Sequence, residues 1–368
     1  MVDIEANSQN GQHEPISVFG RAFIRKNLSS QVIFWISLIS MVARGFYILY
    51  HVFDPTISLY NSDVFKYQRI TCQLYSISVG LILLHLKYNR SLYIDYLDVY
   101  QTLVSDNFGL ASTGFVRKQN QIKRFFPIIA IIYEILTILI HQYSFDLPKL
   151  GFSLKLIAAF IIASIAQCGY VFSMQFIIEC CIYSQSSLMS MNNLLDSLIH
   201  KRIEPSNNMN HIAMSIRLYY SKTVESIRLM DKFLTFAIFV FYFYFTGHCV
   251  LIVGEILDTD SSIYFILWLI FNLFGELSYL VLITYHLVSV NQNSARIFDK
   301  VYQISFSLNS SHSIQTMNEI NLLLLRINRN DVGFTFAGLC MVSPSFISSL
   351  ATISLTLGLA LPSFIDDK

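Results

Sequence analysis

Residues 233–256 read FLTFAIFVFYFYFTGHCVLIVGEI, and the one acidic or basic side chain in that run, histidine aside, is Glu255. A helix needs about 20 predominantly apolar residues to cross the hydrocarbon core of a bilayer, and this run exceeds that. Its neighbours repeat the pattern. Downstream lies an apolar stretch over 262–286 and upstream one over 154–183, with others further out at 31–53, 70–88, 124–142 and 345–365. The sequence therefore predicts an all-α polytopic membrane protein with seven transmembrane helices.

The composition points the same way. Hydrophobic residues are 54% of the chain and aromatics 14%, while charged residues are only 13%, about half the share of a soluble domain. A net charge of +1 leaves no basic surface for nucleic-acid phosphates, and so much apolar surface excludes a disordered chain. The partner is the lipid bilayer. The six cysteines (Cys72, Cys168, Cys180, Cys181, Cys249, Cys340) form no CxxC pair, so no disulfide framework, metal site or cofactor is expected. The polar opening lacks the short apolar core of a cleaved signal peptide, which leaves targeting to the first span.

Counting Lys and Arg between the spans gives an orientation. Three precede the first span, six flank the second connection, six the fourth and four the sixth, so 19 of the 25 lie on one side. Five lie on the other side, and Arg44 sits within a span. The positive-inside rule puts the N-terminus in the cytoplasm and the C-terminus outside. On that reading the sequons at Asn27, Asn89 and Asn309 are cytoplasmic and are chance matches. The polar stretch over 184–232 keeps helical spacing of apolar residues (Leu188, Met191, Leu195, Leu198, then Ile212, Ile216, Tyr219), as helices projecting into the cytoplasm would. The outer connection between the fifth and sixth spans is only a few residues, so an extracellular ligand must be met by the outer halves of the helices.

Polar side chains inside the spans mark where. A charged group at mid-bilayer costs about 2.5 to 3.5 kcal/mol on insertion scales and needs a partner or a wet cavity. Arg44, Tyr47 and His51 follow i, i+3, i+7 in the first span, and Glu134, Thr137 and His141 repeat that spacing in the third. The sixth carries Tyr264, Trp268, Asn272 and Glu276 every four residues, and the fifth adds Tyr244, His248 and Glu255. These stripes are expected to converge on a cavity open to the outside, where aromatics stack on a ligand and polar groups hydrogen-bond it. The candidate binding residues are Tyr47, His51, His141, His248, Tyr264, Trp268, Asn272 and Glu276. Arg44 and Glu134 are candidates for a structural ion pair. Catalytic motifs such as HExxH, GxSxG, a P-loop or a Gly-rich dinucleotide turn are missing, so no enzyme is expected.

The C-terminal region carries a more specific signal. The helical stretch Ile314–Asp331 is followed by Phe334-Thr335-x-x-Gly338 and then by the last apolar span. This order resembles the end of the arthropod gustatory receptor family, whose last span closes on Thr-Tyr, five residues, Gln-Phe. Sliding that pattern from the Phe-Thr-x-x-Gly anchor sets Thr356 on its Thr and Phe364 on its Phe, while Leu357 and Ser363 stand in place of Tyr and Gln.

The resemblance implies a gustatory receptor in the plasma membrane: a chemosensory, ligand-gated cation channel for a small extracellular molecule. It implies assembly as a homo- or heterotetramer, with the last span lining the pore (Thr352, Thr356, Ala360, Phe364). The chain then divides into a cytoplasmic N-terminal segment (1–30), a six-helix ligand-binding region (31–286) with the 184–232 extension, a cytoplasmic anchor region (287–344) and the pore helix with its tail (345–368). The departures at Leu357 and Ser363 keep open a non-conducting relative acting as scaffold, carrier or co-receptor. A transporter or lipid-modifying enzyme is the remaining alternative.

Overall fold

The computed structural model describes residues 15–24, 28–53, 63–105, 109–141, 154–200, 209–257, 263–307, 314–328 and 331–366. These form ten helices: α1 (Val18–Ile24), α2 (Leu28–Phe53), α3 (Asp63–Tyr88), α4 (Arg90–Ser105), α5 (Gly109–His141), α6 (Leu154–His200), α7 (Met209–Leu257), α8 (Ile263–Ser307), α9 (Ile314–Ile327) and α10 (Pro344–Asp366). A hairpin of two short strands, β1 (Thr335–Phe336) and β2 (Cys340–Met341), joins α9 to α10. Five helices among the described residues, α2, α3, α6, α7 and α8, are long and apolar enough to cross a membrane. The expected third and seventh spans fall on the second half of α5 and on α10.

Helices α6, α7 and α8 run unbroken for 47, 49 and 45 residues. At 1.5 Å per residue each is about 70 Å long, more than twice the hydrocarbon core. The polar stretch after 183 is thus the continuation of α6 and the start of α7, and α8 likewise continues past 286 to Ser307. On α9 the residues Thr316, Ile320, Leu323 and Ile327 are buried at helical spacing against α7 and α8. Ion pairs pin it there: Arg217 with Glu319 at 2.6 Å, and Asp331 with both Arg228 (2.7 Å) and Arg326 (2.9 Å).

The core beside α1 is aromatic. Phe23 meets Phe34, Tyr93, Phe176 and Phe233 edge to face, with centroids 5.0 to 6.2 Å apart. Ser17 caps α1 by accepting the Gly20 N–H at 3.2 Å, and the Ile16 N–H donates to buried Glu179 at 2.7 Å. Lys87 closes the other end, donating to the Ala22 carbonyl at 2.6 Å and to Gln31 Oε1 at 2.9 Å. Helix α4, which lies where the reading of spans expected a connection, buries Tyr93, Tyr96 and Tyr100 at i, i+3, i+7.

The hairpin explains the Phe-Thr-x-x-Gly run. Phe334 is fully buried, and Ala337 and Gly338 take φ of 55° and 70°, turning the chain so that the Leu339 N–H donates to the Phe336 carbonyl at 2.9 Å. The left-handed region is nearly free of cost only for glycine. Asp231 on α7 holds the hairpin, accepting from the Thr335 N–H at 2.7 Å and from Thr335 Oγ1 at 3.0 Å. Pro344 then occupies the first turn of α10, and Ser343 Oγ accepts the Phe346 N–H at 3.3 Å.

Candidate functional site

Two carboxylates inside the bundle organise the polar residues of the spans. Glu134 on α5 is almost wholly buried and accepts two hydrogen bonds, from Gln167 Nε2 of α6 at 2.7 Å and from the Tyr279 hydroxyl of α8 at 2.9 Å. The Arg44 cation of α2 acts on the same carboxylate. A lone carboxylate in so dry a setting would be costly, and these partners supply what water would otherwise give.

The second carboxylate is Glu276, three residues from Tyr279 on α8. His248 of α7 lies between it and Cys72 of α3: His248 Nδ1 is 3.2 Å from Glu276 Oε1, and Nε2 is 3.1 Å from Cys72 Sγ. The Tyr244 hydroxyl donates to Glu276 Oε1 at 3.4 Å and lies 3.2 Å from His248 Nδ1. An ionised carboxylate can only accept, so a proton on Nδ1 faces Glu276, while at Nε2 the proton between imidazole and thiol can sit on either partner.

Aromatic rings join the two centres. Tyr75, one turn after Cys72, stacks on Tyr244 with centroids 3.6 Å apart, and Tyr170 stands edge-on to both Tyr75 (5.5 Å) and Tyr279 (6.0 Å). Tyr133, beside Glu134, tilts against Phe271 at 4.8 Å and donates its hydroxyl to the Phe271 carbonyl at 2.8 Å. Gly275 makes that approach possible, since a methyl group there would overlap the Tyr133 ring. An apolar cavity of about 30 Å³, lined by Tyr75, Val79, Leu83, Met174, Ile177 and Phe241, lies below the Tyr75 ring.

Of the candidate binding residues, His248 and Glu276 are brought together. Trp268 and Asn272 lie along α8 above Glu276; Trp268 stacks on Phe265 at 5.8 Å, and the Asn272 amide donates to the Trp268 carbonyl at 3.1 Å. Tyr264 and Tyr47 point outward, 80% and 61% exposed. The reason on α8 is geometric. A row of residues four apart advances about 40° around the helix at each step, so Tyr264 is turned about 120° from Glu276. The side chains of His51, His141 and Phe364 lie outside the described residues. Thr352 and Thr356 are exposed on α10, each donating to the carbonyl four residues back at 2.9 Å, and Ala360 is half-buried.

The sequence reading left out Cys72, Tyr75, Tyr133, Gln167, Tyr170 and Tyr279. A signal for most of them existed in the spacing: Cys72 and Tyr75, Gln167 and Tyr170, and Glu276 and Tyr279 are each three apart, one turn of one helix face. Their meeting across four helices could not be seen in any single span.

Long apolar helices around hydrogen-bonded carboxylates define a polytopic helical membrane protein. Its fold is that of the insect olfactory receptors. The chain matches the structure of the insect olfactory receptor OR5 from Machilis hrabei in complex with eugenol with a TM-score of 0.60 and 12% identity, over 93% of this chain and 100% of that one. It matches another structure of that receptor with a TM-score of 0.56 and 12% identity, over 95% and 92% of the two chains. No family model and no curated protein matches the sequence.

Proposed function

We propose that the chain is a subunit of a chemosensory, ligand-gated cation channel of the gustatory receptor kind, a multi-pass protein of the plasma membrane. It has seven spans with the N-terminus inside and the C-terminus outside, a topology supported by the charge asymmetry of its connections. A small extracellular molecule binds among the helices near Glu276 and His248; that a neighbour of the same fold is in complex with eugenol supports a small-molecule ligand. Four homologous or identical subunits surround a pore lined by α10. We assign it no catalytic role.

The observation that carries this reading is the state of α10. It packs mainly along α7, while Ile353, Leu355 and Leu359 are 57%, 65% and 65% exposed and Thr352 and Thr356 are exposed as well. A helix that is apolar nearly all round, with hydroxyls at one-turn spacing and little cover from its own chain, fits a position between neighbouring subunits and a polar axis. A non-conducting relative is the second reading, favoured by Leu357 and Ser363 in the terminal motif.

Whole-cell recording with Thr352→Cys and Thr356→Cys tests the proposal. Currents evoked by a ligand and blocked by a water-soluble thiol reagent in both variants are expected. Surface-expressed protein that gives no current with any ligand and no reactivity at either position would overturn the channel reading in favour of the non-conducting one.

A further inference from the structure

His248 is engaged through both ring nitrogens, and by different chemistry on each side. Cys72 Sγ lies 3.1 Å from Nε2, while Glu276 Oε1 lies 3.2 Å from Nδ1. A base in contact with a thiol, held in one tautomer by a carboxylate, is the arrangement that makes a cysteine nucleophilic, since the base takes the S–H proton and the carboxylate supports the resulting cation. Five other cysteines share the chain. Cys168 and Cys249 are half-buried like Cys72, yet among the described residues neither contacts an imidazole.

We propose that Cys72 is a covalent attachment site for small apolar electrophiles of the α,β-unsaturated carbonyl class. The inference rests on reading the Glu276–His248 cluster as the place where a ligand binds, and it names the chemistry of one class of ligand. The stacked rings of Tyr75 and Tyr244 beside the thiol favour an uncharged, planar molecule. In the addition, Cys72 gives its proton to His248 Nε2 and the sulfur lone pair forms a bond to the β-carbon. The alkene electrons move toward the carbonyl, and the resulting enolate takes the proton back from Nε2 at its α-carbon. Nothing leaves, and nothing is oxidised or reduced.

The helices also limit the chemistry to addition. Cys72, His248 and Glu276 sit in the interiors of α3, α7 and α8. There the backbone N–H groups are spent on the carbonyls four residues back, so the backbone offers no oxyanion hole for acyl transfer. Addition to an alkene needs only the thiol and one returned proton, both of which the cluster supplies.

The test uses the full chain in lipid nanodiscs, timed exposure to N-ethylmaleimide and peptide mass spectrometry of all six cysteines. Cys72 is expected to react at least tenfold faster than Cys168 and Cys249. His248→Gln is expected to bring Cys72 down to their rate without altering theirs, and Glu276→Gln to slow it severalfold. Equal rates at the three half-buried cysteines of the unaltered protein would overturn the proposal, whether or not the variants fold. An unchanged Cys72 rate in a folded His248→Gln protein would overturn it too. Because labelling is read without any current, fast labelling in a non-conducting protein removes the channel reading alone, whereas slow labelling in a protein gated by unreactive ligands removes this inference alone.

Discussion

Asp231 is expected to hold the hairpin that starts α10, and its removal has a size that can be worked out. The carboxylate accepts two bonds from one residue, the Thr335 N–H at 2.7 Å and the Thr335 hydroxyl at 3.0 Å. A hydrogen bond to a charged group contributes about 1.5 to 3 kcal/mol, and the lower end applies because Thr335 is only half-buried. Asp231→Ala loses both bonds, about 3 kcal/mol of local stability, and Thr335→Val loses the hydroxyl bond alone, about 1.5 kcal/mol. At about 1.4 kcal/mol per factor of ten, local opening becomes about 100-fold and tenfold more frequent. Hydrogen–deuterium exchange reads this at the Leu339 and Val342 amides, which donate across the hairpin to Phe336 and Phe334 at 2.9 Å each. Exchange should rise in the order wild type, Thr335→Val, Asp231→Ala. Asp231→Ala exchanging no faster than wild type, or Thr335→Val matching it, would refute the reasoning.

An epitope at the C-terminus should stain on intact cells and one at the N-terminus only after permeabilisation; the reverse pattern would overturn the assigned topology. Gly275→Ala should lower the melting temperature in detergent by forcing the Tyr133 ring aside, an overpacking cost of about 1 to 3 kcal/mol, and Tyr133→Leu in the same chain should recover most of it. Burial alone would raise the Asp331 carboxyl, but the Arg326 hydrogen bond and the Arg326 and Arg228 charges outweigh it and hold it below the ordinary carboxylate range. In acid the unfolded chain therefore binds that proton first. The stabilisation is present above the ordinary carboxylate value, about 3.9, and is lost as pH falls through the depressed one. Melting curves between about pH 5 and 3 should accordingly show a shallower acid loss for Asp331→Asn than for wild type.

How much of this could be read from the sequence depended on whether the information lay within one element. The long apolar runs and the amphipathic face of α9 are periodic signals along a single helix, so they were visible, as were His248 and Glu276 as costly groups within apolar runs. Helix α4 is hard to see in the sequence because its one buried face, Tyr93, Tyr96 and Tyr100, is masked by Asp95 and Asp98 on the other side. Cys72 was invisible as a site residue because its partner lies 176 positions away on another helix. Spacing by four looks like a straight row over one turn, so the stripe from Tyr264 to Glu276 reads as one face in the sequence and departs from one only as the 40° steps accumulate.

The same two helices bear both the buried cluster and the supports of the hairpin. On α7, His248 and Asp231 are separated by 17 residues, about 25 Å of axial rise, and on α8 Glu276 is followed 15 residues later by Asn291, which donates to the Val332 carbonyl at 3.3 Å. Neither helix is interrupted between those points. A rigid-body shift of α7 against α8 would be felt both where His248 meets Glu276 and at Asp231 and Asn291, which hold the segment from Val332 to Thr335 that leads into α10. On the proposed channel reading, a ligand that favours one setting of the His248–Glu276 contact would bias the start of α10 through α7 and α8 themselves. The bias can be no larger than the ligand's preference between the two settings.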